Sequence, residues 1–292
     1  MKDELGDRMK TYYEDRSRTY LPRRTYTMIR IDGKAFHTYT RGLKRPFDAD
    51  LIKDMDETTK YLCDNIQGAK FGYVQSDEIS ILLSDFEKTT TSAWFDGNVQ
   101  KMASISSSLA TAKFNQLRLA RWFKETALIP IAEDIENFKT AMFDSRLFTI
   151  PPSEEVINYF IWRQQDATRN SIQAVAQSLY SHKELNGKST DQLQDLIWKK
   201  GQNWNDYPVG QKRGRVILKQ ETWVALPEDR AKLALKNPKT ADNVKWLIDD
   251  DQHPNLERVG QYYIKRNTWQ VVEPPIFTQD KDFLRNLIPV MW

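Results

Sequence analysis

Phe71-Gly72-Tyr73-Val74-Gln75-Ser76-Asp77-Glu78-Ile79-Ser80-Ile81-Leu82-Leu83 is the stretch on which the fold turns. Aromatic and β-branched residues crowd both sides of Ser76-Asp77, so it reads as a β-hairpin with that pair at the tip. Upstream, Tyr26–Asp32 (YTMIRID) alternates loosely and stops at Gly33, a strand ending in a turn. Between the two, Asp48–Ile66 places Leu51, Ile52, Met55, Thr59 and Leu62 at helical spacing, with Gly68 just past the end. Downstream, a long helix is expected from Ala93 to about Trp122, then a strand over Ala141–Ile150 closed by Pro151-Pro152. The order β-α-β-β-α-β over residues 26–150 is that of a split βαβ unit. The expected class is therefore α+β, a ferredoxin-like βαββαβ sheet with helical and irregular C-terminal additions.

Those additions begin at Ser153, a candidate N-cap, with Glu154 and Glu155 complementing the helix dipole. The helix should run to about Tyr180. Beyond Gly187 the pattern becomes irregular and basic, and Gln261–Arg266 and Thr268–Val272 suggest a late hairpin about Asn267. With no repeat and no evident linker, the expected division is a catalytic 1–150 and a helical, basic 151–292 packed on it as one unit.

Composition narrows the classes. The 292 residues are 40% hydrophobic with a mean hydropathy of −0.67, and no stretch approaches the ~20 apolar residues of a membrane span. The start, MKDELGDRMK, has no apolar core of a secretory signal, so a cytoplasmic protein is expected. The single cysteine, Cys63, excludes a disulfide scaffold, and His37, His182 and His253 are too scattered for a zinc triad. Charge is nearly balanced, 43 Lys and Arg against 40 Asp and Glu. Locally it is not. Trp198–Lys219 holds Lys199, Lys200, Lys212, Arg213, Arg215 and Lys219 against Asp206 alone, interleaved with Trp198, Trp204 and Tyr207. That mixture suits a phosphate backbone with bases to stack, and equally a solvated face balancing Asp249-Asp250-Asp251.

Two acids stand out, because each follows an apolar strand and sits at a turn: Asp32 before Gly33, and Asp77 between Ser76 and Glu78. In a βαββαβ sheet the first strand lies beside the hairpin, which brings the two carboxylates together. Mg²⁺ accepts one or two carboxylates, a carbonyl such as that of Gly33, and substrate phosphates. Two such ions ~4 Å apart activate an attacking oxygen and steady a leaving pyrophosphate. The bland alternative is that each Asp caps its own turn. On the expected helix, Arg163, Asp166 and Asn170 share one face and form a candidate RNA or nucleotide stripe, or only an intrahelical ion pair. Trp162 beside them is expected in the core.

Ile29-Arg30-Ile31-Asp32-Gly33-Lys34-Ala35-Phe36-His37 and Gln75-Ser76-Asp77-Glu78 resemble the two signature blocks of the tRNA-histidine guanylyltransferase family. Phe143-Asp144-Ser145-Arg146, Trp162-Arg163-Gln164-Gln165-Asp166 with Asn170, and Glu273-Pro274-Pro275-Ile276-Phe277 agree in order and spacing. The resemblance implies a polymerase- or cyclase-type palm that adds nucleotides to an RNA 5′ end in the 3′→5′ direction. It implies two Mg²⁺ on Asp32, Asp77 and the Gly33 carbonyl, and a GTP, ATP or other NTP against Lys34, Ala35, Phe36, His37 and Ser76. It implies Arg30, Lys101 and Arg146 on the 5′ triphosphate, tRNA as partner, and a homotetramer. Lys199, Lys200, Lys212 and Arg213 are then the expected RNA contacts, with Arg163, Asp166 and Asn170.

One departure matters. The eukaryotic enzymes carry a His followed by Ile-Asn-Asn where this chain reads Thr168-Arg169-Asn170-Ser171, and their Lys-Asn-Glu is replaced by Gln194-Asp195-Leu196. Both differences point to the "like" branch, which repairs 5′-truncated tRNAs. The competing readings are a strict tRNA-histidine guanylyltransferase, a nucleotidyl cyclase on the same palm, and an idle RNA-binding module.

Overall fold

The computed structural model describes residues 3–126, 138–247 and 261–290. Along the chain, a short exposed helix α1 (Glu4–Met9) precedes β1 (Tyr26–Gly33), which leads through one helical turn, α2 (Phe36–Tyr39), into α3 (Ala49–Asn65). The hairpin is β2 (Ala69–Gln75) and β3 (Glu78–Leu83), followed by α4 (Val99–Thr126) and β4 (Phe143–Ile150). Then come α5 (Ser153–Leu179), α6 (His182–Leu185), α7 (Thr190–Lys199), α8 (Val209–Arg213), β5 (Arg215–Leu226), α9 (Glu228–Leu235), β6 (Val244–Leu247), β7 (Gln261–Val272) and α10 (Lys281–Leu287). The chain divides into two compact units, residues 1–217 with 271–292, and residues 218–270.

In the first unit the strand order is β4-β1-β3-β2, with the start of β5 on β2, every pair antiparallel. The βαββαβ reading holds. Strand alternation gives this sheet two unlike faces. Ile29, Ile31, Ile79, Ile81 and Val74 are fully buried on the face toward α3 and α4. Gly72 lets α3 close on that face, since a Cβ there would stand 2.8 Å from the Thr59 methyl and 3.0 Å from Cys63 Sγ. The opposite face carries Met28, Arg30, Asp32, Ser80 and Glu78, in register across β1 and β3. Helix α5 covers part of it: Ser80 and Tyr159 share a 2.7 Å hydrogen bond, and Phe160 packs on Phe71 at 4.6 Å.

Several boundaries differ from expectation. The long helix starts at Val99, not Ala93, because Phe95, Asp96 and Gly97 adopt left-handed φ of +48°, +54° and +77° and form a separate 3₁₀ turn. Asp48, by contrast, caps α3 by accepting from Leu51 N at 2.8 Å. Ser153 is the first residue of α5, Pro152 is its cap, and no side chain caps it. Ala141 stays off the sheet because the Asn115 amide takes both its N–H and its C=O, so β4 begins at Phe143. The supposedly irregular basic stretch contains α7, opened by a Ser189–Gln192 capping box, and then β5. Asn267 makes no hairpin: β7 runs unbroken through it. A two-residue turn needs positive φ at one or both centres, and Asn-Thr without a glycine does not favour it.

The second unit is a three-stranded sheet, β5-β7-β6, under α9. Leu226, Ala231, Val244 and Ile264 form its core, with Val224, Ala234 and Tyr262 against them. Among the described residues no helix is long and apolar enough to cross a membrane.

One buried side chain of α5 takes two backbone groups of the first unit's C-terminal segment. The Gln164 amide donates to Pro275 O and accepts from Phe277 N, each at 2.8 Å, and both Gln164 and Phe277 are buried. Gln164→Ala leaves a buried carbonyl and a buried N–H unpaired, an expected cost of about 2 to 4 kcal/mol. Thermal unfolding should show a midpoint lower by several degrees; an unchanged midpoint would mean the segment is anchored elsewhere.

Candidate active site

Strand pairing assembles the site. Asp32 is the penultimate residue of β1 and lies opposite Glu78, the first residue of β3, while Gly33 N–H donates to the Asp77 carbonyl at 3.2 Å. The hairpin tip is tight enough to force Ser76 to φ +48°. Asp32 and Asp77 therefore face one cleft of about 530 Å³, with Arg30, His37, Ser76, Glu78, Arg163, Asp166 and Asn170. Burial pushes the Asp77 carboxyl up to about 6, with the neighbouring Asp32 charge adding to the rise against the Ser76 hydroxyl. Among the described residues Asp77 forms no ion pair, and Asp32 has only the Arg146 guanidinium at 3.7 Å. Two close acids with so little compensating charge form a donor set suited to a hard dication that completes its shell with phosphate oxygens. Three or more His, Cys, Asp or Glu side chains suited to a metal do not cluster anywhere among the described residues, so such an ion would take its other ligands from backbone carbonyls, water or substrate.

The turn after β1 supplies backbone rather than side chains. Lys34 N–H is used by Met142 O at 2.8 Å, and Ala35 takes φ +53° to start α2. The Phe36 ring is core, tilted against Phe114 at 5.7 Å and Phe143 at 5.1 Å. It is also why residue 33 is glycine: a Cβ there would meet that ring at 2.2 Å. The Lys34 side chain and His37 are exposed, the His37 ring hydrogen-bonded to Thr38 Oγ1 at 3.0 Å.

The expected 5′-phosphate cations are placed unequally. Arg30 and Arg146 are direct partners across β1 and β4, side by side on the site face. Arg30 Nη2 donates to Glu78 Oε2 at 2.5 Å, and Arg146 also approaches Asp144 at 3.6 Å. Lys101 is exposed on the first turn of α4 and is not among the residues lining the cleft.

The RNA stripe expected on α5 is corrected. Arg163 is 2% exposed, its guanidinium clamped on both Glu78 oxygens at 2.7 and 2.9 Å and on Asp166 at 2.7 Å. Burial and two acidic partners leave it no free face for RNA. Asp166 and Asn170 line the cleft with the two acids, and Arg169 pairs with Asp166 at 3.0 Å. Trp162, expected in the core, is 46% exposed, with Arg163 and Arg30 at 4.2 and 5.8 Å from its ring centroid.

The basic stretch also splits. Trp198, Lys199 and Lys200 are exposed at the end of α7, Lys200 lying over Tyr180 at 5.1 Å. Lys212 is buried instead: its ammonium donates to Asn205 O at 2.5 Å, and it shares the Trp204 ring with Arg213. Trp204 is core, its indole N–H on Ser171 Oγ at 3.0 Å, so neither it nor Lys212 is placed to meet RNA.

Sequence reasoning missed two features. Glu78 carries no signal in the sequence beyond its place in the motif, yet buried between Arg30 and Arg163 it is the hub of the site. A smaller cavity of about 140 Å³, lined by Pro46, Phe47, Asp48, Gln211 and Arg215, adjoins the cleft through Leu51, Gln75, Ser76, Asn170 and Ala174. Only tertiary packing brings those segments together, and no local pattern marks them.

The family model for tRNAHis guanylyltransferase (Thg1) matches residues 6–151, half of the chain. Protein R259 of Acanthamoeba polyphaga mimivirus is 31% identical over 91% of this chain and 95% of its own length. The tRNA(His) guanylyltransferase of Saccharomyces cerevisiae is 26% identical over 67% of this chain and 83% of its own. Among solved structures, a bacterial tRNA(His) guanylyltransferase-like protein in complex with ATP superimposes with a TM-score of 0.73 at 39% identity, covering 98% of this chain and 99% of that one. The complex with GTP gives 0.69 at 38% identity, covering 99% and 100%. The yeast enzyme's structure shares the fold, with a TM-score of 0.57 at 24% identity over 71% and 92%. With the paired acids, their strand register and these likenesses in agreement, the chain belongs to the tRNAHis guanylyltransferase family.

Proposed function

We propose that this nucleotidyltransferase carries out templated 3′→5′ addition to tRNA 5′ ends, the repair reaction of the "like" branch. The observation that carries the reading is the juxtaposition of Asp32 and Asp77 at one end of a palm sheet, with Arg30 and Arg146 on the same face. The full-length likeness to bacterial proteins bound to ATP and GTP supports NTPs as substrates. The branch assignment draws on Thr168, whose hydroxyl merely bonds Gln164 O within α5 at 2.9 Å where the specialised enzymes carry an imidazole.

In this reading the 3′ hydroxyl of the incoming nucleotide, losing its proton, attacks the α-phosphorus of a 5′-triphosphorylated tRNA end; a phosphodiester forms, the α–β anhydride breaks and pyrophosphate leaves. Two Mg²⁺ held by Asp32, Asp77 and the Gly33 carbonyl would supply Lewis-acid charge at the attacking and leaving oxygens. Arg30 and Arg146 offset negative charge on the 5′ phosphates, and Glu78 keeps the Arg30 guanidinium aimed at them. The turn of Lys34–His37, with Ser76, would position the triphosphate, and the adjoining cavity would receive the base. The exposed Lys199 and Lys200 would meet RNA phosphates, within the basic half 151–292, and a homotetramer in the cytoplasm belongs to the same proposal.

Asp32→Ala and Asp77→Ala should each cut nucleotide addition by more than about a hundredfold, the several kcal/mol a metal-held transition state is worth. Their thermal unfolding should match the parent. Incubation with labelled NTPs, with and without a 5′-truncated tRNA, separates the readings. Labelled RNA supports this one, cyclic nucleotide supports a cyclase, and neither product indicates an idle RNA-binding module. A variant with near-parental rate would overturn the metal assignment.

Substrate choice tests the branch. Templated repair needs only a base that pairs with the opposing strand, whereas adding G to a complete stem needs protein contacts this chain lacks at Thr168. The ratio of kcat/KM for a tRNA missing its first 5′ nucleotide over full-length histidine tRNA should exceed about ten. A ratio below one, or G addition regardless of the opposing base, would return the chain to the strict guanylyltransferase role.

A further inference from the structure

The unit of residues 218–270 lies beyond the segment that the family model matches, and none of its described residues is among those lining the catalytic cleft. Its sheet has two chemically different faces. Leu226, Val244 and Ile264 turn toward α9 and form the core, and the Thr222 and Thr268 hydroxyls meet on that same side at 2.6 Å. Alternation along the strands puts Lys219, Trp223, Lys245, Lys265 and Trp269 on the other side. The contacts agree with that parity. Lys245 lies over the Trp223 ring at 5.3 Å, Lys219 over Trp269 at 5.0 Å, and Lys265 meets Glu221 at 2.6 Å. All three lysines are exposed, Trp223 is half-buried, and Trp269 is buried.

We propose that this lysine–tryptophan face is a second RNA-contact surface, with Lys219, Lys245 and Lys265 on phosphates and the Trp223 ring stacking on one base. The proposal rests on the reading that the substrate is tRNA. Net charge does not argue for it, since the unit has nine Lys and Arg against eight Asp and Glu. Placement does. Lys219 and Lys245 form no ion pair among the described residues and lie against indole rings, an arrangement in which a phosphate takes the ammonium and a base takes the ring. A membrane surface would instead ask for aliphatic side chains projecting between the lysines, and none of the residues placed on this face from Lys219 to Trp223 or from Lys265 to Trp269 is aliphatic.

The test uses the full chain and a tRNA lacking its first 5′ nucleotide. Lys219→Gln, Lys245→Gln and Lys265→Gln combined should lower the log–log salt slope of tRNA binding by about 2. Kd near physiological salt should rise about tenfold, with kcat at saturating tRNA and KM for NTP unchanged. A control carries the same charge change on the α9 side, Lys232→Gln, Lys236→Gln and Lys239→Gln, and should leave the slope as it was. Trp223→Leu should weaken binding about fivefold and Trp223→Phe should restore most of it, both with parental unfolding curves. Equal losses in the control would reduce the effect to net charge and overturn the proposal. So would an unchanged triple variant, or one that loses only affinity for phosphatidylserine vesicles. If the parent protein itself shows no salt-dependent tRNA binding, the functional reading falls with it; if only the triple variant is unaffected, the catalytic reading stands.

Discussion

The site depends on a single buried carboxylate. Glu78 receives Arg163 through two hydrogen bonds and Arg30 through a third, so one acid from β3 holds a cation from β1 and another from α5. Desolvating such a triad is expensive, and removing one member would strand the others at a cost of about 3 to 5 kcal/mol. A well-packed apolar trio could hold strand and helix together as well. What apolar residues could not do is present a guanidinium, at fixed height and angle, beside Asp32 and Asp77.

That arrangement explains why the two sheet faces are so unlike. The isoleucine face meets α3 and α4 and holds the fold together. The α5 face gives up apolar burial for Ser80, Glu78, Arg30 and Arg163, with Tyr159 hydrogen-bonded to Ser80 and Phe160 packed on Phe71. Stability and chemistry are thus assigned to opposite sides of the same strands. The acids sit where this polar face ends, half-buried at the edge of the cleft.

Two further features extend the same logic. The Gln164 tether returns the C-terminal segment to α5, on the turn of helix next to Arg163, so chain closure and site geometry share one helix. The 218–270 unit, by contrast, has its own small core and leaves lysines on the face that α9 does not cover.

The residues by themselves determined much of this. Strand alternation, the Ser76-Asp77 tip and Gly33 were enough for the βαββαβ order and for pairing Asp32 with Asp77, because register between neighbouring strands follows from short-range pattern. Local pattern failed where burial was decided by a partner on another element of the fold. Arg163 and Lys212 read as candidate RNA contacts and Trp204 as one aromatic of a basic, base-stacking stretch, yet Glu78, Asn205 and Ser171 take them inward; the intrahelical Arg163–Asp166 pair was the part legible in the spacing. Trp162 read as core and lies half open. Asn267 read as a turn and lies mid-strand. A charged or aromatic side chain has the same local signature whether it meets water or an opposing group on another element, as Arg163 meets Glu78 from 85 residues away, and only the folded chain brings the partner that decides between them.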